Sequence, residues 1–117
     1  MPRPLPRFPE PDTQPFWEAT REHRLLYQVD RATGDVVFFP RRQNPRNGST
    51  DLEWRESKGE GTVYTFSVVM VNRNPSFTHL GAYAVAYVDL DEGFRVLTNV
   101  VGVEDPGHDI HVGQRVR

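Results

Sequence analysis

A mainly β chain folded around a small barrel is what three stretches of the sequence predict. Residues 82–90 and 94–101 are apolar and β-branched runs joined by Asp91-Glu92-Gly93, whose glycine can take positive φ, so the pair reads as a hairpin. Residues 62–72 form a further long extended run, and residues 112–116 begin another. Both faces of the hairpin are largely apolar, which fits a barrel wall with something covering its outer side better than a sheet open to water. With residues 51–56, around Trp54, as a possible partner, a five-stranded OB-type barrel is the economical closure.

The elements leading to that barrel can be taken in order. Prolines at positions 2, 4, 6, 9 and 11 keep residues 1–11 out of any helix or central strand, so an extended arm is expected. Leu5 and Phe8 are its apolar groups, and whether they dock or the arm is a disordered leader stays open. A helix follows, capped by Asp12 or Thr13, with Pro15 tolerated in its first turn and an end near His23. Phe16, Trp17 and Thr20 mark its inward face. Residues 25–29 and 36–39 then read as short strands around a turn containing Gly34, the second strand stopped by Pro40. Residues 41–50 are rich in turn formers, with Asn47-Gly48 the strongest signal. On the run 62–72, strict alternation puts Tyr64, Phe66, Val68 and Met70 on one face, with Val63, Thr65, Ser67, Val69 and Val71 on the other. The expected organisation is an arm (1–11), a helix and hairpin (12–50) and the barrel (51–117), its last strand short.

Net charge of −2 at neutral pH, with no broad basic field, argues against a general nucleic-acid or membrane-surface protein. The absence of cysteine excludes disulfides, thiol catalysis and thiolate metal sites. With neither a signal-peptide pattern nor an apolar run of transmembrane length, the cytoplasm is the default compartment. No catalytic set emerges. His108-x-x-His111 lacks further ligands at useful spacing, and Asp89, Asp91 and Glu92 read as carboxylates that solvate a turn. Arg41, Arg42 and Arg46 form a cationic run that can be a solvated face or can attract phosphate. Tyr64, Phe66, Tyr83 and Tyr87 offer a stacking platform, so a single-stranded nucleic-acid-binding OB module is the alternative of a different class.

The order of features carries a resemblance. Phe16-Trp17 lies on a first helix and Leu26-Tyr27-Gln28 leads to a turn. Phe39-Pro40-Arg41 follows, then residues 48–54 (GSTDLEW), Gly59-x-Gly61-Thr62-Val63-Tyr64, and the hairpin series 83–93. The chain resembles the acyl-CoA-associated OB-fold proteins, first catalogued as a domain of unknown function, over nearly all of residues 12–117. The resemblance implies a rubredoxin-like zinc ribbon ahead of the OB-fold and a role as companion of thiolase-superfamily enzymes. Where that family carries two Cys-x-x-Cys knuckles, this chain has Asp30 and Thr33, then Asn44 and Asn47, so the ribbon is expected to be degenerate and free of metal. Asx-turns at Asp30, Asn44 and Asn47 are expected to compensate.

The implied function is that of a non-catalytic accessory subunit, with no cofactor, paired with a thiolase-like enzyme. The preferred partner is an aldolase that cleaves a hydroxyacyl-CoA in steroid side-chain degradation, possessing the catalytic residues and most of the acyl-CoA site. A two-plus-two assembly follows by analogy with thiolase dimers. Trp17, Phe38, Phe39 and Trp54 are the expected interface residues, and Arg41, Arg42, Arg46, Phe77 and His79 the candidates for touching acyl-CoA or the partner. A standalone acyl-CoA enzyme is a third reading.

Overall fold

The computed structural model describes residues 2–5 and 10–117. These fall into two compact units, a ribbon unit of residues 10–59 together with Glu92–Phe94, and a sheet unit of residues 2–5, Glu60–Asp91 and Arg95–Arg117. The division between them falls after Gly59, because residues 52–56 hydrogen-bond into the ribbon.

The ribbon unit opens with helix α1, Gln14–Thr20, which has Pro15 in its first turn and Thr13 before it without a side-chain cap. It is shorter than the expected run to His23. The Arg24 N–H donates back to the Ala19 carbonyl at 3.0 Å, and His23 takes φ 60°, so the chain leaves the helix through a left-handed residue without a glycine to mark the stop. Ala19 is the buried residue of α1, with Phe16 and Trp17 half-buried; Thr20, expected to face inward, is exposed and bonds the Trp17 carbonyl at 2.6 Å.

Strand β1, Leu26–Asp30, is buried at every position. It is the middle of a three-stranded antiparallel sheet, between β2, Val36–Val37, and β3, Leu52–Glu56. Burial on both sides explains why β1 does not alternate in polarity. Strand β2 is half its expected length, since Phe39 takes φ 59° and turns the chain out of the sheet. Gln28 then continues the sheet with a side chain: its amide donates to the Arg41 carbonyl and accepts from the Arg41 N–H, each at 2.8 Å. A buried polar residue is thereby satisfied. The strand around Trp54, considered above as a barrel partner, is β3, in register with β1 from Leu26↔Glu56 to Asp30↔Leu52.

The sheet unit holds β4, Gly61–Val69, β5, Tyr83–Leu90, and β6, Arg95–Val100, then a single turn of helix, α2, Pro106–Asp109, and β7, Arg115–Val116. The strand order is β6-β5-β4-β7, antiparallel throughout. This is the OB-fold domain, curled as a half-barrel. The β5–β6 hairpin turns on Gly93 at φ 99°. Val63, Ala84, Ala86, Val88, Leu90 and Ile110 are buried in this unit.

One irregularity reorders the faces of β4. A β-bulge between Val63 and Thr65 sets Val63 opposite Val88 but Phe66 opposite Ala86 and Val68 opposite Ala84. Val63, Phe66 and Val68 thus share the buried face, and Tyr64 leaves it, contrary to strict alternation from Tyr64 to Met70. Of the N-terminal arm, Leu5 is 80% exposed, the Pro2 carbonyl accepts from Ser76 Oγ at 3.1 Å, and the Arg3 guanidinium lies 5.0 Å from the centre of the Phe77 ring. The expectation for Phe8 lies outside the described residues.

Candidate functional site

Two turns of the ribbon unit are built alike. In residues 30–34 the Ala32 N–H donates to Asp30 Oδ1 at 2.9 Å, and the Gly34 N–H to the Asp30 carbonyl at 2.8 Å. In residues 44–48 the Arg46 N–H donates to Asn44 Oδ1 at 3.0 Å, and the Gly48 N–H to the Asn44 carbonyl at 2.8 Å. Each closes on a glycine at φ 79° or 74°, a conformation a side chain would strain.

The opening residues of the two turns meet. Asn44 Nδ2 donates to Asp30 Oδ2 at 3.0 Å and to Asp35 Oδ2 at 2.9 Å, and Asn47 Nδ2 reaches Asp30 Oδ2 at 3.3 Å. Asp30 and Asn44 are 0% and 1% exposed. Thr33 is exposed and does not join by its side chain; its hydroxyl accepts from the Asp35 N–H at 3.2 Å. So of the four positions expected to correspond to the knuckles, three come together through side chains and the fourth closes its own turn.

The Asn44 carboxamide, followed by the Ala32 N–H and the Asn47 amide, holds the Asp30 carboxyl below its ordinary value, against burial acting the other way. Covered by turns rather than by a thick core, the carboxylate is stabilised more by these donors than it is penalised. A group depressed in the folded state stabilises it above the unfolded value of about 3.9, and the contribution is lost as pH falls through the folded value. The melting-temperature gap between wild type and Asp30→Asn is therefore expected to be full at pH 7 and to narrow below about pH 4. A gap independent of pH from 7 to 3 would contradict this assignment.

Beside the second turn is an open depression of about 480 Å³, lined by residues that include Asp12, Arg41, Arg42 and Asn44. Arg42 pairs with Asp12 at 2.9 Å, and Arg46 with Asp35 at 3.6 Å. Arg41 is fixed through its backbone by Gln28, leaving its guanidinium at the exposed edge. Sequence reasoning missed Gln28, since a glutamine within an apolar strand carries no local sign that it will clamp a distant backbone.

Aromatic residues form a second feature of the ribbon unit. Phe16 contacts Trp17 at 5.0 Å and Phe38 at 5.8 Å, Phe38 stacks on Phe94 at 4.7 Å, and Phe94 stacks on Tyr27 at 5.0 Å. Phe39 lies 5.4 Å from Phe38 and is 68% exposed. Three of the four expected interface residues, Trp17, Phe38 and Phe39, thus belong to one cluster, whereas Trp54 sits half-buried on β3, opposite Gln28. Phe77 and His79 belong to the sheet unit: Phe77 stacks on Tyr83 at 6.5 Å beneath Arg3, and His79 is exposed on a short 3-10 turn, Thr78–Leu80.

Several further titratable groups are occupied structurally. Asp89 pairs with Arg95 at 2.6 Å, and Asp91 receives a forked pair of bonds from Arg115, both 2.7 Å. Glu92, in the ribbon unit, accepts from Ser57 Oγ at 2.7 Å and the Lys58 N–H at 2.9 Å. The Asp109 carboxylate, 3.0 Å from Nδ1, raises the His108 pKa above its usual value. Among the described residues no group of three or more His, Asp or Glu is placed to hold a metal, and no helix is long and apolar enough to cross a membrane.

The four aromatics considered for nucleic acid do not share one platform. Phe66 faces the buried side, Tyr83 stacks on Phe77 and its hydroxyl accepts from Asn72, and Tyr64 is covered by the Arg95 guanidinium 3.6 Å from its ring centre. Tyr87, 43% exposed, and Leu97, 58% exposed, are cross-strand neighbours on the outer face.

Comparison with known proteins accords with this geometry. A chain of the solved Ltp2–ChsH2(DUF35) aldolase superposes with a TM-score of 0.80 at 33% identity, over 97% of this chain and 84% of that one. A DUF35 domain-containing scaffold protein of Methanocaldococcus jannaschii is 30% identical over 102 residues, covering 86% of this chain and 70% of its own length. The 3-oxo-4,17-pregnadiene-20-carboxyl-CoA hydratase alpha subunit of Mycobacterium tuberculosis is 31% identical over 106 residues, covering 91% of this chain. The chain spans only about a third of that subunit, 32% of its length. Residues 54–117, more than half of the sequence, match the model of the ChsH2 C-terminal OB-fold domain, and the chain belongs to that family.

Proposed function

We propose that this chain is a non-catalytic accessory subunit, working in the cytoplasm with a thiolase-like aldolase that performs retro-aldol cleavage of a hydroxyacyl-CoA in steroid side-chain degradation. The observation that carries this reading is the likeness, over 97% of the chain, to a chain of the Ltp2–ChsH2(DUF35) aldolase. The relative named for a steroid carboxyl-CoA hydratase supports the substrate class, and the one named as a scaffold supports the non-catalytic role. The chemistry of the described surface is consistent with that role: Asp89 and Asp91 are engaged by arginines, and Glu92 holds Ser57 and the Lys58 backbone in a turn.

Trp17, Phe38 and Phe39 are the proposed docking cluster for the partner, with Trp54 beside β1 as a further contact. Arg41 and Arg42, which line the open depression, and Arg46 on the adjoining turn suit the phosphates of coenzyme A, and Phe77 with His79 suits the partner's surface. The partner holds most of the acyl-CoA and all of the catalytic groups, in a two-plus-two assembly.

Co-expression with a thiolase-like aldolase is expected to yield a complex that cleaves the hydroxyacyl-CoA, while this chain alone turns over nothing. Cleavage by this chain alone would sink the proposal. So would salt-sensitive oligonucleotide binding with no affinity for the aldolase.

A further inference from the structure

The zinc implied by the family resemblance and the side chains at the corresponding positions do not fit one another. Zinc needs lone pairs converging from thiolates, imidazoles or carboxylates. What converges here is one carboxylate, Asp30, and the amide nitrogens of Asn44 and Asn47. Those nitrogens must face it as donors, because an ionised carboxylate only accepts. Both hydrogens of the Asn44 amide are committed, to Asp30 and Asp35, and its oxygen holds the Arg46 N–H. Among the described residues no buried side-chain polar atom lacks a partner.

We propose that the two turns are locked to each other without metal, the Asp30 carboxylate serving as a common acceptor that the Asn44 and Asn47 carboxamides grip from the opposite turn. The arrangement does a metal's structural task by a different division of labour. A central cation would draw four separate ligands inward; here the charge is on Asp30, Asn44 and Asn47 are its side-chain donors, and Thr33 closes its own turn. Asn44 is the keystone, since its single side chain ties together Asp30, Asp35 and the Arg46 backbone. Arg46, 3.6 Å from Asp35, is the cation nearest to that second carboxylate. Such a lock is indifferent to chelators and sensitive to one neutral side chain. It stands independently of which enzyme the chain accompanies.

The test uses the full chain, alone or in its complex, with zinc counted by atomic spectrometry and melting temperature read with and without EDTA. Wild type is expected to give no EDTA-dependent shift. Asn44→Asp keeps the size but turns an oxygen toward two carboxylates, and is expected to lower the melting temperature by about 5–10 °C or to prevent folding. A combined Asp30→Cys, Thr33→Cys, Asn44→Cys, Asn47→Cys variant is expected to bind one zinc more per chain than wild type, and to lose stability when EDTA removes it. The proposal is overturned if wild type carries zinc in the ribbon whose removal unfolds it. It is equally overturned if the four-cysteine variant gains no zinc, or if Asn44→Asp melts where wild type does.

Discussion

Gly61→Ala is expected to lose about 2 kcal/mol of stability, more than an ordinary surface change and enough to move the melting midpoint by several degrees. A β-carbon at Gly61 would lie 2.5 Å from the Asp89 carbonyl oxygen, 2.9 Å from Val88 Cγ1 and 3.1 Å from the Asp89 carbonyl carbon. Two of those atoms are backbone and cannot rotate aside. Relief requires β4 to move away from β5, yet Gly61 is paired on both sides, with Leu90 and with Val116, so the shift would disturb two ladders at once. Opposing this, alanine narrows the unfolded ensemble and stabilises by about 0.4–1 kcal/mol where it fits. The overpacking cost of about 1–3 kcal/mol exceeds that gain. Gly59 is the comparison: it has nothing within 4 Å of a β-carbon but φ 74°, so alanine there meets only backbone strain of about 1–2 kcal/mol. Urea unfolding of the two variants beside wild type distinguishes them. An alanine at position 61 that is neutral or stabilising would mean the strands do not approach this closely.

The reason Gly61 was legible only in part applies to much of the chain. Glycine between two extended runs announces a bend, but the close approach that forbids a side chain depends on a strand some thirty residues away. The β5–β6 hairpin was readable because its signals are local: β-branched runs on either side of a glycine that does take positive φ. The end of α1 was not, because the left-handed residue that terminates it is His23 rather than Gly or Asn. Neither was the bulge after Val63, which transfers Tyr64 from one face to the other with no residue in the run to signal it. Strand β3 has the pattern of a half-buried strand, and pattern alone does not say which sheet receives it. The same division runs through the paired turns. The spacing of Asp30 and Thr33, repeated by Asn44 and Asn47, and the glycine after each pair, lie open in the sequence. The bonds that cross from one turn to the other do not, because they are decided by tertiary contact.

Phe39→Ala is expected to weaken binding to the partner about 30-fold while leaving the chain's own melting temperature within about a degree or two, a loss of roughly 2 kcal/mol that falls on association alone. The ring is 68% exposed, so removing it leaves no cavity inside the chain. Its backbone, at φ 59°, is in a region that L-residues other than Asn and Asp seldom occupy, so the position is mildly strained as well as wet. A phenylalanine gains nothing there for a chain on its own; burying it against a second polypeptide would return about 1.5–3 kcal/mol. The position is also anchored, because Phe38 beside it packs against Phe16 and Phe94. Phe39→Gly separates the two effects. It removes the same ring but accepts the left-handed backbone freely, so it should weaken association as much as alanine while melting no lower, and by up to about 1 kcal/mol more stably, than alanine. If calorimetric titration gave wild-type affinity for both variants, Phe39 would have no part in the interface, and its exposure and strain would need another cause.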